Sequence, residues 1–226
     1  MMNKINKRFN LIILGPQGSG KGTQAEMLAE KFDMKIISLG DIARNEVKKE
    51  TVLSLKIKKY LGKGELLPEE LAEKLIFNSL KLIKKDGIIF DAFPRNFEQV
   101  HILEKLLKEF NLQKPIVIYL KISSQTAMKR LLSRRICPKC GQVFYQGSSD
   151  YQKGICPKCQ TKIIRRADDK PEIIKNRLKI YFQETQKIIH YYQKEKRLLE
   201  INGELTIPEV SQEILEKLND YLEKSA

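Results

Sequence analysis

The chain has 226 residues, with Lys+Arg 42 against Asp+Glu 28 and a formal net charge of +14. That length supports one folding unit with a sizeable core and small mobile insertions. The charge suits polyanionic ligands, but the lysines run along helical stretches such as Lys48-Lys49, residues 56–59 and Lys84-Lys85. Solvated helix faces account for most of them, and no basic run is interleaved with aromatics, so no nucleic-acid partner is expected. No apolar stretch approaches the length of a membrane span, and the basic residues 1–8 lead into a six-residue strand rather than a signal-peptide core. A cytoplasmic protein without a membrane partner is expected. In that compartment the four cysteines are not structural disulfides.

The first predicted element is a strand over residues 9–14, a short apolar run. Directly after it comes Gly15-Pro16-Gln17-Gly18-Ser19-Gly20-Lys21-Gly22-Thr23-Gln24, which reads as a phosphate loop opening a helix. Its glycines let the backbone turn tightly and aim N–H groups at one point, where the helix dipole adds positive potential. Lys21 then reaches the phosphates as a point charge. The pattern G-x4-G-K-[S/T] is altered: Gly22 stands where a hydroxyl is usual, and Thr23 supplies one a residue later.

Strands are predicted over 35–37, 87–90, 116–121 and 198–201, each a short apolar run bounded by Gly, Pro, Asn or charge. Helices are predicted over 71–84, 97–110, 126–134 and 173–194, where apolar residues recur every three or four positions. The result is a doubly wound α/β fold with a five-stranded parallel sheet. Its ligands belong at the carboxyl ends of the strands, where both the phosphate loop and Asp91 to Arg95 fall. Two segments interrupt the alternation: 38–67, with two helical patterns and no strand, and 133–169, which holds the cysteines. His101 and His190 are isolated, and are expected on helices without a catalytic role.

Cys137-Pro-Lys-Cys140 and Cys156-Pro-Lys-Cys159 are two C-x2-C knuckles separated by 15 residues. They supply four thiolates for a tetrahedral site, the pattern of structural zinc. Four protein ligands leave no open position, so the metal is expected to hold shape and not to react. A zinc ribbon that grips nucleic acid is the alternative use of such knuckles.

The phosphate loop with GKGT resembles that of nucleoside monophosphate kinases, and of adenylate kinases in particular. Ser38-Leu39-Gly40-Asp41 with Arg44, and Gly64-Glu65-Leu66-Leu67-Pro68, are similar to that family's monophosphate site. Asp91-Ala92-Phe93-Pro94-Arg95 with Gln99 resembles its DGFPR signature and base-reading glutamine. Arg130, Arg134, Arg166, Asp168, Asp169 and Arg177 follow in family order. The resemblance implies a core of 1–37, 68–132 and 170–226, a monophosphate-binding insertion over 38–67 and a zinc-bearing lid over 133–169. It implies a monomer that moves a phosphoryl group from MgATP to AMP, giving two ADP.

ATP is then expected on Gly18, Ser19, Gly20, Lys21, Gly22, Thr23, Arg130, Arg134 and Gly203, with Val143 and Phe144 beside the base. AMP is expected on Leu39, Arg44, Glu65, Leu66, Leu67, Ala92, Phe93, Pro94, Arg95, Gln99, Arg166 and Arg177. The catalytic set is Lys21, Arg95, Arg134, Arg166 and Arg177, because phosphoryl transfer needs alignment and charge neutralisation more than a general base. Asp91 is expected to hold the water shell of Mg2+, and Asp168 and Asp169 to orient the lid arginines. The chain departs from the family at Leu39, Ala92 and Asn96, where threonine, glycine and threonine are usual. Leu39 removes a hydroxyl near the base, and an asparagine after FPR also occurs in pyrimidine monophosphate kinases. That activity is one alternative, and a zinc-ribbon nucleotide-dependent binding protein is another.

Overall fold

All four residues of Leu11–Leu14 (β1) are buried, as a strand covered on both faces must be. Side chains alternate along it: Ile12 and Leu14 enter one apolar layer, Leu11 and Ile13 the other. The computed structural model describes residues 8–83 and 87–224. The N-terminal basic stretch up to residue 7, the predicted helix end at Lys84 and the Lys84-Lys85 pair lie outside the described residues.

β1 is followed by Lys21–Phe32 (α1), Lys35–Ser38 (β2), Leu39–Val47 (α2), Val52–Lys63 (α3), Glu69–Lys81 (α4) and Ile88–Asp91 (β3). Phe97–Glu109 (α5), Ile116–Lys121 (β4) and Ser124–Ser133 (α6) complete the first part of the sheet. The cysteine-bearing segment holds Arg135–Ile136 (β5), Val143–Phe144 (β6) and Ser149–Lys153 (α7). Pro171–Ile180 (α8), a π-helical turn over Tyr181–Thr185, Gln186–Lys194 (α9), Leu198–Asn202 (β7) and Ile207–Lys224 (α10) end the described chain. The main sheet is parallel, in the order β2-β3-β1-β4-β7. Strand order reverses at β1, which opens a crevice above its carboxyl end.

One apolar layer joins β1 to α1 and α10 through Leu11, Ile13, Leu28, Ile214 and Leu218. The other joins it to α4, α5 and α9 through Ile12, Phe90, Ile76, Leu103 and Ile188. Ile12, Leu11 and Ile214 are fully buried, so truncating any one to Ala should cost about 2–5 kcal/mol. Helix starts are set locally. Thr51 and Ser54 form a capping box at α3, and the side chains of Ser38, Asn96 and Ser123 accept from backbone N–H groups of α2, α5 and α6.

The sequence predicts one helix over 173–194, whereas the chain forms α8 and α9 joined by the π-helical turn. Strand pairing also begins at Leu11 rather than residue 9. Phe9 instead meets Phe32 edge-on at 5.6 Å, and the Asn10 amide bonds the Gln113 carbonyl and the Ile88 N–H.

Candidate active site

The loop after β1 turns where an ordinary side chain would not fit. A Cβ on Gly15 would lie 2.6 Å from the Leu120 carbonyl oxygen, and Gly20, at the start of α1, has φ +94°. Space requires glycine at position 15, whereas at position 20 a Cβ would meet nothing and the positive φ favours glycine. The Lys21 ammonium donates to the carbonyls of Gly15 and Pro16 at 2.8 Å each, folding back along the loop mouth. The Ser19 hydroxyl oxygen is buried without a hydrogen-bond partner among the described residues, and Gly22 is exposed.

β3 ends at Asp91, whose Oδ2 accepts from the Ser38 hydroxyl at 3.1 Å. Its Oδ1 is buried without a partner among the described residues. Such an oxygen is costly unless something donates to it, and the water shell of a magnesium ion carried by a nucleotide would do so.

Ala92 follows at φ +53°, in the left-handed region that favours glycine, where alanine costs about 1–2 kcal/mol. Its carbonyl accepts from Arg95 Nε at 2.8 Å. Phe93 and Pro94 are buried, Phe93 within the main core. Gln99 is 1% exposed and its Oε1 accepts the Arg95 backbone N–H at 2.9 Å. Asn96, a departure from the family pattern, caps α5 by accepting the Gln99 N–H at 2.9 Å. Leu39 is buried in the main core, as is Leu67; Leu66 and Glu65 are half-buried beside it, with Glu65 4.0 Å from Lys63. Arg44 pairs with Asp41 one helical turn away.

From the other side, Arg134 grips the fully buried Asp169 through two hydrogen bonds of 2.7 and 2.6 Å. Arg166 and Arg177 share Asp168, at 2.7 and 2.6 Å. Burial works against ionisation of Asp168, but these guanidinia hold its carboxyl well below the usual carboxylate range. The two aspartates therefore fix Arg134, Arg166 and Arg177. Arg130 Nη1 donates to the Gly203 carbonyl at 2.9 Å and reaches the Gly18 carbonyl at 3.5 Å, bringing those three together.

Burial pushes Lys21 down to about 7; Asp91 raises it, while Arg95, Arg134 and Arg177 lower it further. Burial likewise lowers Arg95 to about 10, with Arg177 adding repulsion, and Arg166 to about 10, with Arg44 adding. Cations that depress one another across a loop mouth form a site for a polyanion.

The cysteine-bearing segment touches this loop. The Tyr145 hydroxyl is 3.5 Å from the Thr23 hydroxyl, a contact not read from the sequence although Tyr145 follows Val143-Phe144. Phe144 is 3% exposed and packs with Cys137, Cys156 and Ile163. Val143 remains half-buried. His101 and His190 are exposed on α5 and α9.

The four cysteine sulfurs lie within 4.8 Å of one another, with Cys140 and Cys156 Sγ 3.8 Å apart. Zn–S bonds of about 2.3 Å put tetrahedral sulfurs about 3.8 Å apart, so the donor set fits a closed four-thiolate centre. Tight turns hold the knuckles: Gly141 N–H donates to the Cys137 carbonyl and Gln160 N–H to that of Cys156.

The adenylate kinase family profile matches residues 13–197. The adenylate kinase of Pyrococcus furiosus is 36% identical over 215 residues, covering 95% of this chain and 97% of that protein. That of onion yellows phytoplasma is 40% identical over 210 residues, covering 92% and 97%. That of Finegoldia magna is 36% identical over 212 residues, covering 93% and 99%. With a phosphate loop facing several arginines on a five-stranded parallel sheet, and a sequence that matches these relatives over nearly its whole length, the chain belongs to the adenylate kinase family.

Proposed function

We propose that the protein transfers the terminal phosphoryl group of MgATP reversibly to AMP, giving two ADP. The observation that carries this is the convergence of Lys21, Arg44, Arg95, Arg134, Arg166 and Arg177 on one loop mouth, several of them mutually destabilised until an anion arrives. ATP lies with its phosphates on the backbone N–H groups from Gly18 to Thr23 and on Lys21. Its base lies at Arg130, Gly203 and Val143. AMP places its phosphate on Arg44 and Arg95 and its base at Gln99, whose Oε1 keeps a second lone pair beyond the Arg95 bond.

Transfer needs the two phosphates aligned and the equatorial oxygens neutralised, which planar guanidinia do bidentately. Arg134, Arg166 and Arg177 meet the transferring group, oriented by Asp168 and Asp169. Magnesium bound with ATP neutralises phosphate charge, and Asp91 with its free Oδ1 holds the ion's water shell. Residues 38–67 and 133–169 close as flaps and exclude water, so that AMP rather than water accepts the phosphoryl group. Zinc on Cys137, Cys140, Cys156 and Cys159 holds the lid's shape and takes no chemical part. Thiolates in this role suit the reducing cytoplasm, and a single chain is the working unit.

The test is a coupled assay on purified protein. It should form two ADP per ATP consumed, and only when ATP, AMP and Mg2+ are all present. Release of inorganic phosphate without AMP dependence would contradict the reading.

A further inference from the structure

Arg95 is held by three hydrogen bonds that use none of its terminal nitrogens. Nε donates to the Ala92 carbonyl at 2.8 Å, and the backbone N–H donates to Gln99 Oε1 at 2.9 Å. The third comes from outside the loop: the Thr185 hydroxyl donates to the Arg95 carbonyl at 2.9 Å. Thr185 is 4% exposed and closes the π-helical turn between α8 and α9. At the start of the same turn the Tyr181 hydroxyl donates to that of Tyr119 on β4 at 3.3 Å, pinning the helix to the sheet.

The turn has a geometric use. Arg177 and Thr185 are eight residues apart, and in an uninterrupted α-helix their side chains would stand about 80° apart around the axis. Absorbing one extra residue in a π-helical turn brings that to about 20°. One continuous helical segment then presents both Arg177, bound to Asp168, and the hydroxyl that fixes Arg95. Arg95 is buried between the like charges of Arg177 and Arg44 and the opposite charge of Asp91, so its placement depends on what holds it.

We infer that Thr185 is a positioning residue for the acceptor phosphate, acting through the Arg95 carbonyl. The inference rests on the proposed reaction for its meaning. It assigns the alignment of the acceptor-side and transfer-side arginines to one helical segment and its π-helical turn.

Thr185→Val keeps the shape and removes the donor, Thr185→Ser keeps the donor, and Thr185→Ala is a second donor-free variant in case the valine does not fold. Steady-state rates with AMP varied at saturating MgATP, and the reverse, separate the two substrates. The donor-free variants should raise KM for AMP about fivefold and lower kcat, consistent with one lost hydrogen bond. KM for ATP should stay within about twofold, and Thr185→Ser should match the wild type within about twofold. Calorimetric binding of AMP alone should weaken by the same factor in the donor-free variants. Unchanged AMP parameters, equal loss for AMP and ATP, or no rescue by serine would overturn the assignment. A wild type that binds AMP without forming ADP would instead contradict the proposed reaction, while the binding series would still decide the role of Thr185.

Discussion

At Lys21, burial and three neighbouring guanidinia bring the ammonium close to its titration point in the free protein. A bound polyphosphate favours the charged form, so the bound pKa lies above the free value of about 7. Binding above that pH therefore takes up a proton. Affinity is full below about 7 and falls as pH rises, by up to about tenfold per unit until the bound pKa is reached. Titration calorimetry with ATP from about pH 7.5 to about pH 9, where the terminal phosphate with pKa about 6 is already ionised, should show this fall and proton uptake in buffers of differing ionisation enthalpy. Lys21→Ala should abolish both and lower kcat by about 10²–10³-fold with the circular dichroism spectrum unchanged. A variant with near-normal turnover would remove Lys21 from the chemistry. At this scale the sequence was legible where a residue type has one use, as in glycines beside a lysine. It was less so where one side chain serves two ends: Asn96 suggested a different acceptor, yet its side chain caps α5. Leu39, read as the loss of a hydroxyl near the base, is also part of the main core.

The lid is the element whose stability depends most on something beyond packing. β5 and β6 have two residues each, α7 has five, and the small apolar cluster includes Cys137 and Cys156 themselves. So little buried surface cannot order such a segment unaided. One zinc ion per chain is expected by metal analysis, and Cys156→Ser should lower the melting temperature while leaving most activity at low temperature, because a closed site takes no part in transfer. Protein prepared without chelators that carries no transition metal, or a serine variant of unchanged stability, would contradict this. The knuckles were legible because four thiolates at that spacing have few other uses. The π-helical turn was not, since the apolar positions of 173–194 fit an ordinary helix and the extra residue is set by contacts to Tyr119 and Arg95 from distant parts of the chain.

For the whole molecule, five apolar runs separated by helical patterns were enough to read the sheet, because parallel strands buried on both faces leave a strong imprint. The observed strand order is β2-β3-β1-β4-β7. It puts the reversal at β1 and hence the loop, Asp91 and Arg95 around one crevice. Contacts such as Asn176 Nδ2 to the Lys63 carbonyl and Tyr145 to Thr23 were not readable, because they join residues more than a hundred positions apart. Among the described residues, Lys21 and the arginines near it bring part of the positive charge to that crevice.

Acceptor choice tests the central claim most directly. Catalytic efficiency should be compared for AMP, CMP, UMP and GMP at saturating MgATP. With Gln99 buried at the proposed base position and Asn96 committed to its cap, AMP should be the best acceptor of the four. Faster phosphorylation of CMP or UMP at low acceptor concentration would contradict the account.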